Sequence, residues 1–154
     1  MITRLASRLG ALLAACLVAF PAHAADGSPI DGADTGFMIV ATALVLLMTL
    51  PGLALFYAGM VRKKSLLGTM AQSVAATAIV SILWYALGYS LAFTGDGALI
   101  GSAARVFGAG IGLDTVSPLA KTIPEMLFLG YQMTFAIITV ALVGGAVADR
   151  LSFS

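Results

Sequence analysis

Charge is what this sequence has least of. Only 10% of its 154 residues are Asp, Glu, Lys or Arg, while 60% are hydrophobic. A soluble domain carries roughly 25% charged residues. Too few are left here to clothe a globular surface in water. There is one cysteine, Cys16, and one histidine, His23, both near the N-terminus. That excludes a disulfide framework, a Cys/His zinc spacing and a Cys–His or Ser–His–Asp nucleophilic set within this chain. The net charge is +1, so no basic surface points to nucleic acid. What is abundant is apolar sequence, with a mean hydropathy of +1.05. The class this implies is an all-α integral membrane protein, with the lipid bilayer as its first partner.

The N-terminus reads as an address. Arg4 and Arg8 precede a short apolar stretch over residues 9–20 and an Ala22-His23-Ala24 cleavage pattern. This is the build of a cleaved secretory signal peptide over residues 1–24. At roughly 1.5 Å per residue, the stretch falls short of a hydrocarbon core of roughly 30 Å. That weighs against the alternative of an uncleaved first span. Leu13-Ala14-Ala15-Cys16 resembles a lipoprotein cleavage box, but too little apolar sequence precedes Cys16. Cleavage removes His23 and leaves an extracytoplasmic N-terminus. Residues 25–34, with Asp26, Asp31, Asp34 and Pro29, then form a short acidic, flexible lead-in.

Three uncharged apolar runs follow, predicting transmembrane helices at about 36–61, 65–94 and 126–148. In a bilayer the backbone must satisfy its own polar groups, so runs of this length are helices. Arg62-Lys63-Lys64 is the strongest basic cluster after the signal peptide. The positive-inside rule puts it in the cytoplasm. The first helix then runs inward, the second returns, and the third ends inside near Asp149-Arg150. The connection over residues 95–125 is extracytoplasmic and slightly acidic. Its glycines, with Pro118 and Pro124, predict loop and turns, with room for a short amphipathic helix. No carboxylate lies inside any run. That argues against a proton relay or buried cation site built from this chain alone.

A few residues stand out against this background. Tyr131 and Phe135 are four apart in the third helix and so share a face. They could attract a small cation over their rings and block a lumen, or form an interfacial belt beside a packed Phe. Pro51 removes one backbone hydrogen bond inside the first helix. It is a pore-shaping kink or a tolerated membrane proline. Gln72 and Gln132 need polar partners, as helix–helix glue or as ligands. Ser73, Thr77 and Ser81 follow at helical spacing. Gly144 and Ala148 form a small-xxx-small pair that admits a close helix.

Three ordered blocks carry a resemblance. The run from Phe37 through Thr42-Ala43-Leu44-Val45-Leu46-Leu47-Met48-Thr49-Leu50-Pro51-Gly52-Leu53-Ala54-Leu55-Phe56-Tyr57 to Arg62 resembles the first helix of the bacterial ammonium transporters of the Amt/Mep/Rh family. Leu83-Trp84 and Gly88-Tyr89-Ser90-Leu91-Ala92-Phe93 resemble the end of their second helix. Tyr131-Gln132-Met133-Thr134-Phe135 and Gly145-Ala146-Val147-Ala148-Asp149-Arg150 resemble their third.

The resemblance implies a trimer of eleven-helix subunits in the bacterial inner membrane, each with its own pore and no cofactor. Ammonium is recruited at an outer aromatic site and gives up its proton, and a narrow, largely apolar pore lined by two histidines then conducts the substrate. By position, Phe135 matches the phenylalanine of the cation site and gate. Tyr131 matches the outer aromatic beside it. A PII-type regulatory partner is also implied. The family's cation-site tryptophan, serine and aspartate and its pore histidines would all follow Ser154. The expectation is therefore a partial gene product with three of eleven helices, which does not conduct alone and is poorly stable outside a larger assembly. The alternative is a non-transporting three-span assembly or anchoring protein.

Overall fold

A computed structural model describes residues 29–95, 97 and 99–147. The signal peptide read over residues 1–24 and the helix end at Asp149-Arg150 lie outside the described residues. Among those described, three helices are long and apolar enough to cross a membrane: α1 (Gly32–Met60), α2 (Lys63–Phe93) and α3 (Glu125–Ala146). A two-stranded antiparallel hairpin, β1 (Val116–Ser117) and β2 (Ala120–Pro124), leads into α3. The fold is all-α apart from this hairpin.

The helix ends differ from the sequence expectation for local reasons. Helix α1 starts at Gly32 because Asp31 caps it. Asp31 Oδ1 accepts from the Ala33 N–H at 2.7 Å and the Asp34 N–H at 2.9 Å. Two amides that the helix cannot pair are satisfied this way. Residues 32–34 are therefore helical, not a flexible lead-in. The Asp31 amide also donates to the Thr122 carbonyl at 2.8 Å, tying α1 to β2. Helix α2 begins with a 3₁₀ turn at Lys63–Ser65, and α3 takes in Glu125.

Two helices are interrupted. A π-helical turn spans Met48–Leu53, with Pro51 inside it. A second spans Trp84–Gly88. A π turn closes i→i+5 bonds, so residues five apart come onto one face. Thr49 and Ala54 are both buried, and Ala58 continues their face one α turn later. Trp84 and Tyr89 likewise both meet the core.

Four hydroxyls in the first two thirds of α2 are satisfied within the helix. Thr69, Ser73, Thr77 and Ser81 each donate to the carbonyl four residues back. The core sits at the hairpin end. Tyr89, Ile123, Phe128 and Leu129 are buried there, with Met38, Trp84, Phe93 and Ile111 around them. Phe93 meets Trp84, Tyr89 and Phe128 at ring-centroid distances of 6.1, 5.5 and 5.3 Å. Elsewhere the helices keep apolar faces outward. Phe37, Leu67 and Ile82 are 72%, 77% and 70% exposed. Apolar surface on that scale fits hydrocarbon or further helices rather than water.

Candidate functional site

Tyr131 and Phe135 do form a pair. Their rings meet edge to face with centroids 5.1 Å apart, inside the range that favours aromatic contact. Thr134, between them in sequence, is fully buried and donates to the Tyr131 carbonyl at 2.7 Å. That turns the threonine inward while Phe135 stays 43% exposed. Tyr131 also lines an open cleft of about 280 Å³ between α1, β2 and α3, with Phe37, Thr122, Phe128 and Gln132 among its walls and Asp34 at one side. The pair thus presents one largely free ring and one ring half set into a cleft.

Gln132 is placed in this cleft, beside Tyr131. Gln72 is placed elsewhere. It lines a smaller cavity of about 90 Å³ between the three helices, with Tyr57, Thr69, Ser73 and Gly145. The two glutamines therefore do not act together. Pro51 is exposed and lies apart from both cavities. Its π turn shapes α1 rather than touching the aromatic pair. Among the described residues the α3 glycine approached closely is Gly145; Ala148, the partner of Gly144 in the small-xxx-small pair, lies outside the described residues. A β-carbon on Gly145 would collide with the Tyr57 ring, whereas one on Gly144 meets nothing within 4 Å.

One cluster has no counterpart in the sequence reading. Glu125 does not sit in an open loop. It is the first residue of α3 and only 2% exposed. The Tyr89 hydroxyl donates to Glu125 Oε1 at 3.0 Å. Arg105 Nη2 lies 3.2 Å from Glu125 Oε2. That enclosed oxygen accepts no hydrogen bond, so its partner is the guanidinium charge itself. Arg105 Nη1 donates to the Ala109 carbonyl at 3.3 Å. The loop can wrap the guanidinium this closely because Gly110 has φ +72° and no β-carbon. The signals were present. Arg105 interrupts an otherwise apolar stretch, and Glu125 follows a proline at a helix start.

The outer connection is then fastened to α2. Ser90 Oγ donates to the Ser102 carbonyl at 2.7 Å and accepts from the Arg105 amide at 2.9 Å. The Gly101 amide donates to the Leu91 carbonyl at 2.8 Å, and the Ser102 amide to the Thr94 carbonyl at 2.7 Å. These loop amides satisfy carbonyls that the end of α2 leaves open. Among the described residues no group of three His, Cys, Asp or Glu could hold a metal ion.

The profile of the Ammonium Transporter Family matches residues 36–154. An ammonium transporter of Mycobacterium tuberculosis (strain H37Rv) is 48% identical, over 80% of this chain and 29% of the relative. One from Bacillus subtilis (strain 168) is 47% identical, over 78% of this chain and 29% of the relative. A crystal structure of a Mep2 mutant from Candida albicans superposes with TM-score 0.66 at 33% identity, over 79% of this chain and 27% of that one. The chain thus spans about three tenths of the length of these relatives. The match runs through all three apolar helices, which make this a multi-pass membrane protein. The chain belongs to the Ammonium Transporter Family.

Proposed function

We propose that this chain supplies three helices of a subunit that carries ammonium across the bacterial inner membrane. The single observation that supports this most is the Tyr131–Phe135 ring pair at 5.1 Å, with Phe135 accessible. An aromatic face attracts a small cation, worth about 2 kcal/mol or more once it is desolvated. An apolar lumen beyond them would then favour the neutral species. Phe135 is the gate ring and Tyr131 the ring that braces it. Pro51 shapes α1, Gln72 bridges helices, and Gln132 offers an amide beside the cleft.

The orientation follows from charge. Arg62-Lys63-Lys64 sits at the cytoplasmic end, and the hairpin end faces outward. Residues 1–24 form a cleaved signal peptide, which gives the mature N-terminus an extracytoplasmic start. The working form is a homotrimer of eleven-helix subunits, open to control by a PII-type partner. Pore residues beyond the aromatic pair come from helices other than these three.

The test is methylammonium uptake by the native gene product and its Phe135→Ala variant. The expected result is altered uptake together with weaker discrimination between ammonium and other small cations. Uptake and selectivity both left at the parent level would overturn the gate assignment.

A further inference from the structure

We infer that the ion pair between half-buried Arg105 and enclosed Glu125 is a positioning device for the aromatic gate, setting the rotation of α3 that aims Tyr131 and Phe135. This rests on the transport reading above. The observations are independent of it.

Helix α3 is held at its start by contacts that all come from other parts of the fold. The Glu125 amide donates to the Thr115 carbonyl at 2.7 Å. Its carboxylate is shared between Tyr89 of α2 and Arg105 of the outer connection. One turn on, Phe128 packs edge to face on Phe93 at 5.3 Å. Trp84 Nε1 donates to the Leu129 carbonyl at 3.2 Å. In a helix each residue turns roughly 100° from the last. Once the face bearing Glu125 and Phe128 is fixed, the directions of Tyr131 and Phe135 are fixed as well.

Glu125 is the part of this anchor that depends on charge. It is almost fully enclosed, and among the described residues its Oε2 has only the guanidinium to balance it. An enclosed carboxylate that loses its cation is left uncompensated, and it is strongly destabilising unless it moves toward water. That movement loosens the first turn of α3. Phe135, by contrast, is 43% exposed, and Tyr131 is its one ring partner among the described residues. It follows α3 wherever the helix turns. Arg105 and Glu125 touch no substrate in this scheme. They act through the rings.

The test uses the native gene product in membranes, in a background without other reactive cysteines. A Tyr131→Cys reporter is labelled by a thiol reagent added from outside. Glu125→Gln keeps the side chain's size and an acceptor for Tyr89, but removes the charge. The expected result is a several-fold change in labelling rate at 131, matched by Arg105→Gln, with no further change in the double variant. Arg105→Lys keeps a cation beside the carboxylate and holds the labelling near the parent rate. A change in labelling for Arg105→Lys as large as that for Arg105→Gln would also overturn the inference, since the charge pair is kept there. On the transport side, Glu125→Gln raises KM for methylammonium with the maximal rate preserved. In a Phe135→Ala background it raises KM no further. Unchanged labelling at 131 in both neutral variants overturns the inference. So does a KM effect that persists in full without Phe135. A parent protein that carries no methylammonium defeats the transport reading alone, and the labelling comparison still decides this one.

Discussion

The Tyr89 hydroxyl and the Glu125 carboxylate are hydrogen-bonded at 3.0 Å between the last turn of α2 and the first residue of α3. Both residues are 2% exposed. Hydrogen bonds to charged groups contribute about 1.5–3 kcal/mol, and an orphaned enclosed acceptor is costly. Tyr89→Phe keeps the ring packed on Phe93 and Phe128 but removes the donor. We expect it to lower stability by about 1.5–3 kcal/mol, read as a fall in Tm of the detergent-purified protein with helix content retained. Tyr131→Phe serves as comparison and should stay within about 0.5 kcal/mol. Equal Tm values for Tyr89→Phe and the parent would show that the bond carries no net stability.

The contact between Tyr57 and Gly145 gives a second expectation. The ring lies where a β-carbon of residue 145 would sit. The clash is relieved only if the ring turns into the cavity it shares with Gln72 or the helices move apart. Gly145→Ala should cost about 1–3 kcal/mol by overpacking. Combining it with Tyr57→Ala should recover part of that loss, since the clash is then gone. Thermal unfolding of the single and paired variants checks this, and a paired variant no better than the sum of its parts would count against the clash.

The three apolar runs were legible because hydrophobicity is uniform along them and charges fall only between them. The Tyr131–Phe135 pair was legible because four residues make one α-helical turn. The helix starts were less so. Asp31 acts through one carboxylate on two amides, and composition reads it as ordinary acidic loop. The Trp84–Tyr89 face was hidden for a different reason. The two residues are five apart and meet one core only because the helix widens between them. The hairpin escaped notice since Val116–Ser117 is too short to show alternation. Glu125 and Tyr89 are 36 residues apart in sequence. No local pattern joins them, so their pairing emerges only once α2 and α3 stand side by side.

Pro51 tests what holds a widened turn open. It lacks the amide that an α-helix would use and so removes a competitor to the π turn of Met48–Leu53. Pro51→Ala restores that amide and lets an α turn compete. An α turn would rotate Ala54 and Ala58 away from the face they share with buried Thr49. We expect a loss of about 0.5–3 kcal/mol, the ordinary range for disturbed packing, measured as Tm. A variant as stable as the parent would show that packing alone keeps the turn wide.

Ser90 tests how the outer connection is fastened. It is 1% exposed, and its hydroxyl meets the Ser102 carbonyl at 2.7 Å, the Arg105 amide at 2.9 Å and, more loosely, Thr94 Oγ1 at 3.4 Å. Ser90→Ala removes all three, but the consequences differ. The Ser102 carbonyl keeps a share of the Thr94 hydroxyl, which lies 2.9 Å from it and 2.7 Å from the Ser90 carbonyl. The Arg105 amide loses its acceptor, at a cost of about 1–3 kcal/mol. Thr94→Ala alone should do less, since Ser90 still serves that carbonyl. Together the two changes strip the carbonyl completely, so their combined cost should exceed the sum of the single costs. Hydrogen exchange reads the same event locally. The Arg105 amide should exchange faster in Ser90→Ala and stay protected in Thr94→Ala. Additive stabilities with equal exchange in both variants would mean that the loop is held by its backbone bonds at Gly101 and Ser102 instead.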